Sequence, residues 1–260
     1  MLQISIQNLN ELVAFWLIFT RWLTISFQLP IFDNVAVPTL IKILTAMILS
    51  YAFFPLVNKE VLIDIKGAGE NAFWFLTIGY SITGLLIGYF VKSIMNIFIA
   101  SGSIITQAIG FGAVRYFDPS AGAQIGPFEK MIQWTMIIII ISSGALIPMF
   151  KGIYLSFFTI HLADLNSFHS LPVFFMDFFK GIFMASLMLA SPFVFTNILI
   201  TSVLGIISRV VPQMNVIMVS FVVNIGIGLM VFWASSSEFF HTAFKFYTDN
   251  LGIWFKYLSL

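Results

Sequence analysis

Cysteine is absent from this 260-residue sequence, so disulfides, thiolate metal sites and cysteine nucleophiles are all excluded. Charge is nearly as scarce. Asp, Glu, Lys and Arg make up 9% of the residues, whereas about a quarter of an ordinary soluble domain is charged. The twelve Lys and Arg are spread along the chain and the formal net charge is +1, which provides no basic field for nucleic acid. There are three histidines, His161, His169 and His241, with no HExxH pair and no carboxylate at metal-ligand spacing, so neither a metal site nor a cofactor is expected. A GxSxG elbow, a phosphate-cradling glycine loop and a pair of intramembrane carboxylates are also missing. The acids all read as loop residues. Catalysis and proton-coupled transport thus lack their usual equipment, and the chain does not read as an enzyme.

What fills the sequence instead is apolar. Hydrophobic residues account for 60% and the mean hydropathy is +1.01, values that leave too little polar side chain to cover a water-facing exterior. The expectation is an all-α integral membrane protein, because only helices satisfy their backbone groups internally when they cross hydrocarbon. About six stretches reach the required length of about 20 residues. They run over residues 13–32, 35–57, 73–90, 131–150, 181–208 and 210–237, and the last two form a hairpin. The amino terminus carries Glu11 and no basic region before the first apolar run, so that run reads as a retained span. Residues 58–70 and 164–172 read as polar connections, and 238–260 as an aromatic, amphipathic tail.

Several local features stand out. Arg21 lies among Phe15, Trp16, Phe19, Trp22 and Leu23, where a charge facing lipid costs at least about 2.5 kcal/mol. It needs a partner or water, as an ion-pathway residue or as a structural contact. Gly84 and Gly88 form a GxxxG pair that brings helices together. Residues 93–114 are uncharged yet rich in Ser, Thr, Gly, Asn and Gln, a composition suited to packing against protein or lining a cavity. A loop follows, Gly110-Phe111-Gly112-Ala113-Val114-Arg115-Tyr116-Phe117-Asp118-Pro119-Ser120-Ala121-Gly122, with glycines and a proline at turn positions among large aromatics. Pro192 should bend the fifth segment. The polar corner Arg209-Val210-Val211-Pro212-Gln213-Met214-Asn215 joins two long apolar arms.

That corner, followed by an apolar helix with Gly226 and Gly228, resembles the carboxy-terminal hairpin of the flagellar biosynthesis protein FliR family. The resemblance extends to the Asp118-Pro119-Ser120-Ala121-Gly122 loop, to Arg21, to Pro38 before the second segment and to the overall length. After the corner this chain departs from the family pattern: Ile217, Ser220, Val222 and Asn224 stand where relatives tend to carry an aromatic, a glycine, a proline and a lysine. The resemblance implies a subunit of the type III export gate, flagellar or of the related injectisome kind. Residues 1–180 would be a FliP-like portion and 181–260 a FliQ-like hairpin with its tail, built as kinked helical hairpins. With FliP-like and FliQ-like subunits the chain would surround a pore for unfolded proteins in the bacterial inner membrane, contacting an FlhB-like switch protein and an FlhA-like export ring. Apolar segments would then face companion subunits as well as membrane lipid. Residues 110–124 would be the pore plug, using Gly110, Phe111, Gly112, Arg115, Tyr116, Phe117, Asp118, Pro119 and Gly122. Arg209, Pro212, Gln213 and Asn215 would form the interface tip of the hairpin on the cytoplasmic side, and both termini would lie outside.

The alternative is a small transporter or channel acting alone. It needs polar groups converging near mid-bilayer, and only Arg21, Asn96, Gln107 and Asn197 are available.

Overall fold

A computed structural model describes residues 9–29, 37–68, 72–113, 126–160, 171–213 and 215–258. Among them there are seven α-helices: α1 (Leu9–Gln28), α2 (Thr39–Ala68), α3 (Phe73–Ile109), α4 (Pro127–Ser142), α5 (Leu146–Thr159), α6 (Leu171–Val210) and α7 (Val216–Leu258). A single 3-10 turn, Phe111–Ala113, follows α3. The all-helical membrane architecture read from the composition is therefore the observed one, with different element lengths. Four helices, α2, α3, α6 and α7, are long and apolar enough to span a bilayer, and α4 with α5 would make a fifth span bent by 76°. About six apolar helices in kinked hairpins were expected, a count the structure meets approximately. The discrepancy is clearest at residues 131–150, where Ser143 and Gly144 end α4 and Gly144 adopts φ +72°, a left-handed conformation that favours glycine. Elsewhere the helices outrun the hydrophobic segments: α2 continues through the supposed connection to Ala68, and α7 absorbs most of the supposed tail. Polar residues at the end of a helix do not interrupt its backbone ladder.

Pro192 lies within α6, which continues on both sides of it. Proline removes the N–H that would have reached the Met188 carbonyl. The Ser191 hydroxyl donates to that carbonyl at 2.8 Å, so the acceptor is satisfied within the helix.

The chain divides into two compact units. One contains residues 1–94, 144–175 and 250–260; the other contains 95–143 and 176–249. In the first, α1 packs against α2, and Trp22 meets Phe53 and Phe150 at ring-centroid distances of 5.0 and 6.1 Å. Phe90 stacks on Trp254 at 3.9 Å. The Gly84/Gly88 pair does bring helices together. A Cβ at Gly84 would collide with Thr24 and lie 2.7 Å from the Arg21 carbonyl oxygen, and one at Gly88 would lie 3.0 Å from the Gln28 Cβ, so α3 rests directly on the α1 backbone. Gln28 reinforces the contact by donating from Nε2 to the Leu85 carbonyl at 2.8 Å. In the second unit Phe193, Phe232 and Phe239 form an aromatic cluster beside Phe128.

Large apolar side chains also point outward, including Tyr51 on α2, Met176 on α6, and Met230 and Trp233 on α7, Trp233 being 83% exposed. Such faces need lipid or protein as their solvent.

Candidate functional site: where helix three ends

Residues 93–114 were left open between packing and cavity lining, and their hydroxyls decide the matter for the described part. Ser93, Ser101 and Thr106 are all buried, and each donates to a carbonyl one turn back: Tyr89 at 2.8 Å, Phe98 at 3.0 Å and Gly102 at 2.7 Å. Hydroxyls satisfied in this way leave a smooth surface for close packing. Gly102 uses it, since a Cβ there would lie 3.2 Å from the Glu129 Cα on α4.

At its carboxyl end α3 must dispose of carbonyls that have no partner within the helix. Gly110 turns the chain with φ +94°, and its N–H bonds to the Gln107 carbonyl at 3.1 Å. The Ala108 carbonyl accepts from Asn197 Nδ2 on α6 at 2.7 Å. Helix α7 closes in from another side. The position of a Cβ on Gly110 is within 4 Å of Phe221, Asn224 and Ile225, and a Cβ on Gly228 would lie 2.7 Å from Ile109. Asn224 is only 8% exposed, and its Oδ1 has no hydrogen-bond partner among the described residues. An unpaired buried acceptor of this kind costs about 1–3 kcal/mol.

The chain returns at α4. Pro127 occupies the first helical position, and the Gly126 N–H donates to Glu129 Oε2 at 2.9 Å, half of a capping arrangement. Phe128 then stacks on Phe111 at 6.4 Å and meets Phe232 of α7 edge-on at 4.7 Å. The two ends of the segment 114–125 are therefore joined through a pair of rings, and both ends rest against α7.

Gly110, Phe111 and Gly112 of the expected plug loop fall in this arrangement. Arg115, Tyr116, Phe117, Asp118, Pro119 and Gly122 lie outside the described residues. Sequence reasoning did not connect Phe128, Glu129, Asn224 and Phe232 with the loop. The placement of all acids in loops is corrected: Glu11, Glu60, Asp64, Glu129, Asp177, Glu238 and Asp249 are helical residues, and Glu129 is 3% exposed. The Pro127-Phe128-Glu129 run was a helix-start signal; nothing in the order of residues pointed to Phe232, more than a hundred positions away.

At the hairpin tip Arg209, Pro212, Gln213 and Asn215 are all exposed. Asn215 starts α7, its Oδ1 accepting the Met218 N–H at 3.3 Å.

Arg21 belongs to the first unit and is completely buried on α1. Its guanidinium lies 4.4 Å from the ring centroids of both Tyr80 and Phe157, and Nη1 donates to the Ser156 carbonyl at 3.1 Å. The Tyr80 hydroxyl donates to Asp64 Oδ2 at 2.7 Å, so a carboxylate stands behind the ring. Nε and Nη2 have no hydrogen-bond partner among the described residues. The charge is held between aromatic faces, where cation–π attraction offsets part of its desolvation.

Long apolar helices, proline and serine groups satisfied within the helix and outward-facing aromatics define a polytopic helical membrane protein. Residues 12–249 match the family described as "Bacterial export proteins, family 1", and the chain belongs to that family. It is similar to the flagellar biosynthetic protein FliR of Aquifex aeolicus, 25% identical over 220 residues that cover 85% of this chain and 84% of the relative. FliR of Bacillus subtilis is also 25% identical, over 230 residues and 87% of each chain. The surface presentation of antigens protein SpaR of Shigella flexneri is 24% identical over 230 residues and 88% of each. The chain is accordingly a membrane component of a type III export apparatus.

Proposed function

We propose that this protein is a non-enzymatic subunit of the flagellar export gate in the bacterial inner membrane. With FliP-like and FliQ-like subunits it surrounds a conduit for unfolded flagellar proteins, and its residues 110–124 plug that conduit at rest. The observation that carries this reading is the construction at the end of α3: a left-handed glycine and an amide cap fix one end of the aromatic loop, and a stacked ring pair joins it to the other. A loop with a fixed base and glycine-containing ends can move aside without unravelling the helices that bear it. The FlhB-like switch protein and the FlhA-like ring meet the gate from the cytoplasmic side, where the Arg209–Asn215 corner lies.

A stand-alone transporter is less well supported. Asn96 and Gln107 are exposed on α3 about 16 Å apart along its axis, and Asn197 is engaged with a backbone carbonyl, so these groups do not converge.

Deleting residues 110–122 tests the plug. Cells carrying the deletion should show raised membrane conductance to small ions while the gate still assembles. Conductance equal to that of the parent would contradict the reading.

A further inference from the structure

Helices α6 and α7 do more than neighbour the end of α3. Asn197 of α6 supplies the hydrogen bond that the Ala108 carbonyl lacks within its own helix, and Asn224 of α7 places its Cβ 3.8 Å from the Cβ position of Gly110. One amide is therefore paired at the loop's base, and the other is buried there with its carbonyl oxygen unpaired among the described residues. Both helices lead to the exposed Arg209–Asn215 corner. Asn197 stands twelve residues before Arg209 and Asn224 nine residues after Asn215, or about 18 and 14 Å at the rise of an α-helix. Helices of that length are stiff enough to carry a displacement of the corner to the loop's base.

We propose that the α6–α7 hairpin is a clamp on the end of α3, with Asn197 and Asn224 as positioning residues of opposite effect: Asn197 holds the Ala108–Ala113 turn in the resting arrangement, and Asn224 disfavours that arrangement. The logic is that of a two-state element. The Asn197 bond is lost when the turn swings away, so it stabilises the resting state. The Asn224 oxygen is buried with no donor among the described residues, and it regains water or a partner when the turn departs, so the arrangement described here is the one it opposes. A pull on the corner by a cytoplasmic partner would then release the base of the loop. The inference rests on the plug reading for its consequence, but the clamp itself can be measured without ion flow.

The chain has no cysteine, so a single Gly112→Cys substitution gives it one thiol. The site tolerates a side chain, since a Cβ there meets Gln107 no closer than 3.5 Å. Reaction of this thiol with a maleimide, followed by mass in the assembled complex, reports how often the turn opens. Asn197→Ala and the near-isosteric Asn197→Leu, which cannot donate, should raise the labelling rate about fivefold, the shift expected for one ordinary hydrogen bond. Asn197→Gln should bring the rate back toward the parent, and Asn224→Leu should lower it. Equal rates in all backgrounds would overturn the clamp even if the loop deletion makes cells leak. If the Asn197 variants fail to assemble, Asn224→Leu decides alone: slower labelling supports the clamp, and an unchanged or faster rate refutes it.

Discussion

Arg21 was conspicuous in the sequence because a charge stood in an aromatic, apolar run; what the sequence withheld was how the charge is tolerated. The answer lies in residues 59, 135 and 136 positions away: Tyr80, Ser156 and Phe157. A planar guanidinium fits between two ring faces and still bonds a carbonyl, whereas an ammonium is a compact, strongly hydrated charge. Arg21→Lys should therefore destabilise the protein more than Arg21→Met, which removes the charge while keeping much of the volume. Comparing the amounts of each variant retained in membranes checks the order; equal losses would mean that the guanidinium shape is irrelevant. Gly84 gives a second residue-scale test. Its backbone lies so close to Arg21 and Thr24 that Gly84→Ala should cost about 1–3 kcal/mol by overpacking, whereas Gly67→Ala, with nothing within 4 Å, should be near neutral. Thermal unfolding of the extracted complex separates them. GxxxG was readable as a packing signal; its partner, the backbone of α1, was not.

Hydropathy located the helices well and their ends poorly, because helix ends are set by backbone hydrogen bonding and not by apolarity. Residues 131–150 look like one span in any window average, yet Ser142, Ser143 and Gly144 divide them. Gly144→Ala forces an L residue into φ +72° and should cost about 1–2 kcal/mol, measurable as a lower unfolding temperature. At Pro192 a bend was expected; the helix continues on both sides of the proline, and Ser191 supplies the missing donor. The carboxy-terminal hairpin was legible as two clean arms and a polar corner, and the structure caps its second arm with Asn215. Gln213 is exposed at that corner, so Gln213→Cys should react with a membrane-impermeant reagent added from the cytoplasmic side and crosslink to the switch protein. Labelling from the periplasmic side alone would reverse the proposed orientation.

For the molecule as a whole, family membership was visible in the corner motif and the loop, because both are short runs of unusual residues. The base of the loop was not. It is assembled from α3, α4, α6 and α7, and the contacts of Ala108 with Asn197 and of Phe128 with Phe232 join positions 89 and 104 apart. Equally hidden was the fate of apolar surface: α3 is largely covered by its own chain, while α2, α6 and α7 present most of theirs outward. Surface of that kind can be covered by acyl chains or by other subunits, and a gate subunit requires the second for part of it. The decisive measurement is the native mass of the protein after mild extraction from its own membranes. A large hetero-oligomer containing this chain together with two smaller apolar proteins is the predicted result; a monomer or homodimer that by itself carries a small solute across a bilayer would contradict the account.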